Sequence, residues 1–184
     1  MRTPATPTGP PAPSEGADAL DERQLRYILG QFVTGVCAVS TRFETSSGPR
    51  HDAIAVNSFT SVSLDPPLVS MCLRDDSTFL ERVRTTGQWA VSFLGNQSRA
   101  LVGVLTAPAM QRPPVEEAAQ WAVGPHTGCL VLPEGPGTLE CALHLTQRLG
   151  DHVLVVGRVL GAASRDDAPL VFHRGTFTEV APPH

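Results

Sequence analysis

The stretch AVNSFTSVSLDPPLV, residues 55–69, decides how the chain is read. It opens as a strand. It then places Asn57, Ser58, Thr60, Ser61 and Ser63 where that strand should end. Pro66 and Pro67 fix the direction of exit, because proline locks φ and restricts the residue before it. Small hydroxyls beside N–H groups freed from a ladder let a phosphate or a polar ring edge come close. The same residue types also satisfy an ordinary turn. Both readings stand at this point.

Working outward, VTGVCAVSTR on the N-terminal side is rich in β-branched residues and reads as a strand, with TSSGP as the turn after it. Before it, Leu25, Ile28, Leu29 and Phe32 fall at helical spacing and predict an amphipathic helix from Asp21 to about Phe32. Residues 1–17, MRTPATPTGPPAPSEGA, are rich in Pro, Thr and Ala and are expected to be a disordered tail, leaving 18–184 as one domain. On the C-terminal side, PPLVSMCLR is a short apolar strand expected to be buried on both faces. Thr78 and Glu81 spell a capping box for the helix TFLERVRTT, and Gly87 is placed to stop it. QWAVSFLG returns to strand, and Asn96 is a candidate cap for QSRALVGVL.

Residues 106–138 are dense in Pro and Gly and predict a long loop, functional or mobile. Its Glu116 and Glu117 suggest only a solvated turn. Three strand signals follow: TLECALHLTQRL with Leu139, Cys141, Leu143 and Leu145 on one face, then HVLVVGRVLGAA, then a closing hairpin of PLVFHRG and TFTEV. The sum is a mainly β protein, an antiparallel barrel with a few short helices packed outside.

Composition limits the function classes. A 184-residue chain is long enough for one domain with its own core. A net charge of −4 argues against nucleic acid as the main partner, which needs a basic face. No apolar run is long enough to span a bilayer and no signal pattern opens the chain, so a cytoplasmic protein is expected. The cysteines at 37, 72, 129 and 141 form no CxxC, and the histidines show no HExxH spacing, so no metal site is expected. Cys37, Cys72 and Cys141 sit in apolar runs and read as buried, reduced thiols. There is no GxGxxG, no GxxxxGK[ST] and no GxSxG.

Three further clusters carry chemistry. In RDDSTFL, Ser77 and Thr78 open a helix whose N-terminus attracts anions, and Arg74 adds a full charge. In GDHVLVVGRV, His152 stands at the mouth of an apolar strand, where it can donate a hydrogen bond at neutral pH. In FHRGTF, His173 and Arg174 flank a glycine turn. Plain capping, a solvated arginine and a surface histidine are the bland alternatives for each.

Together these stretches resemble the flavin reductase-like family, the FMN-binding split barrels. The matching text is LRYILGQFVTGVCAVSTR, VNSFTSVSLDPPLV, STFLERVRTTGQWAVSFL, LECAL, GDHVLVVGRV and PLVFHRGTF, in consistent order from Leu25 to Phe177. The resemblance implies a Greek-key split β-barrel working as a homodimer, with FMN or FAD bound near the subunit interface. It implies that NADH or NADPH reduces the flavin, which then passes to a partner flavin-dependent monooxygenase, in small-molecule or natural-product metabolism. A repurposed tailoring enzyme and a non-catalytic flavin-binding protein are the alternatives. By the same resemblance Val56, Asn57, Ser58, Ser61, Val62 and Ser63 line the flavin. Arg74, Ser77 and Thr78 lie near its ribityl phosphate. His152 lies on the nicotinamide side as the catalytic candidate, with His173 and Arg174 close by. The chain departs from the family pattern at Ala53-Ile54-Ala55, where relatives often carry G-x-T, at Ser92, where asparagine is common, and at VLTAP.

Overall fold

In the computed structural model, residues 21–108 and 111–180 are described. The expected tail, 1–17, lies outside them. Helix α1 (Glu22–Leu29) is capped by Asp21, whose carboxylate accepts the Arg23 N–H. The VTGVCAVSTR run divides at Val36 into β1 (Thr34–Gly35) and β2 (Cys37–Thr45), which join different sheets. β3 (Gly48–Val56), β4 (Thr60–Leu64) and β5 (Pro67–Arg74) follow, then α2 (Thr78–Thr86), β6 (Gln88–Phe93) and α3 (Arg99–Thr106), the last preceded by a short 3-10 turn at Asn96–Ser98. The chain closes with β7 (Ala122–Val123), β8 (Leu130–Val131), β9 (Gly137–Leu149), β10 (His152–Ser164), β11 (Leu170–His173) and β12 (Thr176–Glu179).

The main sheet is antiparallel, in the order β3-β2-β6-β9-β10-β5-β4. Its two edge strands, β3 and β4, are consecutive in sequence and share no ladder. Only Asn57-Ser58-Phe59 links them. The sheet therefore curls into a barrel that stays split along this seam, and the opening stretch is the seam. Two register shifts between β9 and β10, one leaving His144 of β9 unpaired opposite Val156/Gly157 and one leaving Leu160 of β10 unpaired, add the bend and twist that closure needs. Gly157 is required there. A Cβ on it would meet the Trp89 indole at 2.6 Å.

Residues of β2 alternate between two cores, as strand side chains must. Cys37 and Val39 join Met71, Trp89, Val91, Cys141, Val153 and Val155 inside the barrel. Ala38 joins Leu94, Leu101, Val102, Leu130 and Leu170 on the opposite face, under α3 and the long loop. Helix α2 sends Phe79, Leu80 and Val83 into the barrel core, so it belongs to that core rather than only flanking it. The central strands are thus buried on both faces. β5 comes close to this, with Val69, Ser70, Met71 and Leu73 buried.

The loop over residues 106–138 is packed where it is described. Ser40 Oγ donates to the Leu130 carbonyl at 2.5 Å, Ser92 Oγ accepts the Leu132 N–H at 2.9 Å, and Trp121 Nε1 donates to the Val115 carbonyl at 2.7 Å. Ser92 is therefore a fastener for this loop. Glu116 also departs from the solvated role expected of it: its carboxylate accepts the backbone N–H of His51 at 3.1 Å. Helix α2 has no T-x-x-E box. Its N-cap is Ser77, one residue earlier than expected, and Glu81 pairs with Arg84 instead. Gly87 does end the helix, at φ +68.

Candidate flavin-binding cleft

The seam, the end of β5, the start of α2 and the start of β10 converge on one cleft of about 810 Å³. Antiparallel register explains the convergence. β10 pairs with β5 so that His152 lies opposite Arg74 across the sheet. Helix α2 starts directly after β5, which brings Ser77 and Thr78 to the same end. Of the residues the sequence singled out, Val56, Asn57, Ser58, Arg74, Ser77, Thr78 and His152 line this cleft.

Their side chains are differently engaged. Ser58 Oγ donates to the Cys72 carbonyl and accepts the Cys72 N–H, both at 3.0 Å. The hydroxyl thus stands in for a missing ladder residue and ties the seam to β5. For Ser58 the turn-satisfying reading accounts for the hydroxyl. Ser77 is the opposite case. Its side chain makes no capping hydrogen bond, so the first N–H groups of α2 meet the cleft without a side-chain partner. A helix N-terminus in that state favours an anion.

Arg74 is exposed and forms a bidentate pair with Asp76, at 3.0 and 2.9 Å. The hydrogen bond and the Asp76 charge hold its guanidinium above the usual arginine range, and the same hydrogen bond holds the Asp76 carboxyl below its usual range. Its charge is already balanced. Arg112, which the sequence reading did not single out, is better placed. It is largely buried, donates to the Ala53 carbonyl at 2.8 Å and reaches Asp52 only at 3.9 Å. It is the one arginine or lysine in the 106–138 segment, which is the signal available in the sequence. His152 Nδ1 lies 2.9 Å from Asp151 Oδ1, and this hydrogen bond holds the Asp151 carboxyl below its usual range. Asp151 thereby orients the ring and leaves Nε2 for a ligand.

Ser61, Val62 and Ser63 do not line the cleft of this chain. They lie on the edge strand β4, where a bulge between Ser61 and Ser63 leaves Val62 unpaired and exposed. His173 and Arg174 lie apart as well. Arg174, at φ 49, donates from Nε to Gln31 Oε1 at 2.7 Å and from its N–H to the Gly30 carbonyl at 3.0 Å, tying the last hairpin to the end of α1. Their neighbour Phe172 lines a smaller apolar cleft of about 190 Å³ that shares Ala55, Val56 and Asn57 with the first. Ala55 thus sits on the wall between two clefts.

A split antiparallel barrel with an anion-ready helix end and a tethered histidine in one cleft defines the class. The flavin reductase-like domain model matches residues 29–181, and the chain belongs to that family. It is 34% identical over 176 residues to an NADH-dependent FAD reductase of Streptomyces globisporus, covering 92% of each chain. It is 30% identical over 168 residues to a reductase subunit of a flavin-dependent monooxygenase of Rhodococcus jostii, covering 90% of this chain and 82% of that one. Among solved structures, the flavin reductase component of a bacterial two-component tryptophan halogenase matches with a TM-score of 0.78 at 34% identity, over 89% of this chain and all of that one.

Proposed function

We propose that the protein is an NAD(P)H-dependent flavin reductase that supplies reduced flavin to a partner monooxygenase. The observation that carries the reading is the convergence of the uncapped α2 N-terminus, Arg112 and His152 on one cleft. An anion-ready helix end and a hydrogen-bonding ring in one cleft suit a flat cofactor with a phosphate tail. Flavin bound there supplies a two-electron acceptor for the hydride of the nicotinamide.

The chain's own part is placement. Ser77, Thr78 and the first N–H groups of α2 would hold the phosphate, with Arg112 lining the same cleft. Asn57 and Val56 form the side wall at the seam. His152, its ring fixed by Asp151, would hold the nicotinamide by accepting a hydrogen bond from its carboxamide N–H at the outer nitrogen. A ring fixed in this way would orient the nicotinamide, and orientation of that kind supplies much of the acceleration. Relatives are named as reductase subunits of oxygenases and halogenases, which supports the partner assignment. No helix among the described residues is long and apolar enough to cross a membrane, and we place the reaction in the cytoplasm, where both nucleotides are held.

We also propose that the working unit is a homodimer. Leu25, Ile28 and Leu29 of α1, Phe32 after it, and Val62 and Leu64 of β4 are all exposed in the single chain. A second copy would cover them and bring its β4 edge, with Ser61 and Ser63, toward a flavin. The test of the activity is NADH or NADPH consumption with added FMN or FAD. Turnover that scales with added flavin supports the reading. Flavin binding without turnover would reduce the protein to a carrier, and the absence of flavin binding would point to a tailoring step on another small molecule.

A further inference from the structure

The flavin cleft does not end at Arg112. Beyond that side chain lies a second cleft of about 340 Å³, and Thr78 and Arg112 line both. The two spaces therefore meet at the end of the first that holds the α2 N-terminus, which is its phosphate end. The second cleft is walled by Phe43, Arg50, His51, Asp52 and Arg82, with Arg112 at its mouth. Its charge is lopsided: three guanidinium groups face a single carboxylate on the wall. Asp52 is taken up by Arg82, and Arg112 reaches it only at 3.9 Å. Arg50 is half-exposed, and its partner Glu116 is 4.0 Å away. The Arg82 guanidinium lies 4.3 Å from the centre of the Phe43 ring, which adds a flat aromatic surface to the cationic one.

A cation at the junction, a cationic and aromatic basin past it, and a phosphate site before it describe a receptor for a dinucleotide. We propose that the second cleft takes the adenosine monophosphate half of FAD, with Arg112 bridging the pyrophosphate, and that this selects FAD over FMN. The proposal rests on the flavin-binding reading above. A nicotinamide dinucleotide carries the same adenosine pyrophosphate chemistry. The junction lies at the α2 N-terminus, where the flavin phosphate is proposed to sit, and this favours FAD as the source.

The test is a set of Michaelis constants for the wild type, Arg50→Ala and Phe43→Leu, with FAD or FMN varied at saturating NADH, and NADH varied at saturating FMN. Wild type should show a KM for FAD about tenfold below that for FMN, the scale of one or two charge-assisted contacts. Each variant should narrow that ratio. Equal constants for the two flavins in wild type overturn the proposal. So does a proportionate rise for both flavins in the variants. A rise in the NADH constant with FMN as acceptor overturns it too, since it would assign the cleft to the nicotinamide dinucleotide. If neither flavin supports NADH oxidation, the reductase reading fails separately. Calorimetric titration of the same three proteins then decides. Tighter FAD than FMN, narrowed by Arg50→Ala, supports the second cleft, and equal affinities reject it.

Discussion

Helices α1 and α2 are nearly equal in length, and both carry an apolar stripe at helical spacing, yet the chain treats them in opposite ways. In α2, Phe79, Leu80 and Val83 are no more than 1% exposed and complete the barrel core. In α1, no residue is buried, Leu29 is 61% exposed, and Phe32 just beyond is 75% exposed. Periodicity reports that a helix has an apolar face. It does not report whether that face meets its own chain or another. The two helices also do different work. α2 is anchored in the barrel core, which fixes the N-terminus proposed to hold the flavin phosphate. α1 is tied to the body of the chain by the Gly30 and Gln31 contacts to Arg174.

The largest expected effect therefore belongs to α2. Leu80→Ala should cost about 3–5 kcal/mol, the range for a fully buried leucine whose site cannot collapse. Chemical denaturation would show it at any protein concentration. A loss below about 1 kcal/mol would mean that α2 is not part of the barrel core.

The same core protects two thiols. Burial pushes Cys37 and Cys141 up to about 12, from an ordinary value of 9.0. The folded state then keeps two protons that the unfolded chain loses first. Their contribution to stability is fully present below pH 9 and is lost as pH rises toward 12. Stability measured across that window should fall steeply, and Cys141→Ala should flatten the fall. An identical alkaline limb in the variant would break the link between this core and the thiols.

At the other end of α2 the expected effects are on binding and rate. Ser77→Asp places a negative charge at the helix end where the flavin phosphate is proposed to sit. It should weaken flavin binding about tenfold while leaving the helix at least as stable, since aspartate is a good N-cap. His152→Ala should slow NADH-dependent flavin reduction more than it weakens flavin binding. An unchanged reductase rate would remove His152 from the mechanism.

The sequence made the barrel legible because strands and turns leave local marks. The hydroxyl-rich seam and the glycine at 87 describe their own neighbourhood, and each landed where it pointed. The alternation in TLECALHLTQRL holds for Leu139, Cys141 and Leu143, which pack on the barrel core, and breaks at the register shift over His144, leaving Leu145 44% exposed. The site was legible only in part. His152 and Arg74 are far apart in sequence and meet through strand register, which no local pattern encodes, so the family resemblance had to supply the link. Arg112 escaped because its role depends on how a proline-rich loop folds back over β3 to reach the Ala53 carbonyl. Ser58 and Ser92 were read as ligand-facing or divergent positions. Their hydroxyls instead replace a missing ladder contact and fasten a loop, and only tertiary placement distinguishes those uses from a binding role.

The smallest effect is the one that sharpens the comparison most. Leu29→Ala in α1 removes an exposed side chain and inserts the best helix former, so dilute protein should change by less than about 0.5 kcal/mol. If a second copy covers α1, wild-type melting temperature should rise with protein concentration, because association stabilises the folded chain by mass action. In Leu29→Ala that slope should diminish, and sedimentation should show a larger fraction of single chains. Should Leu29→Ala instead destabilise the protein as much as Leu80→Ala at every concentration, α1 would be packed against its own chain. The contrast between the two helices, and the homodimer proposed from it, would then both fall.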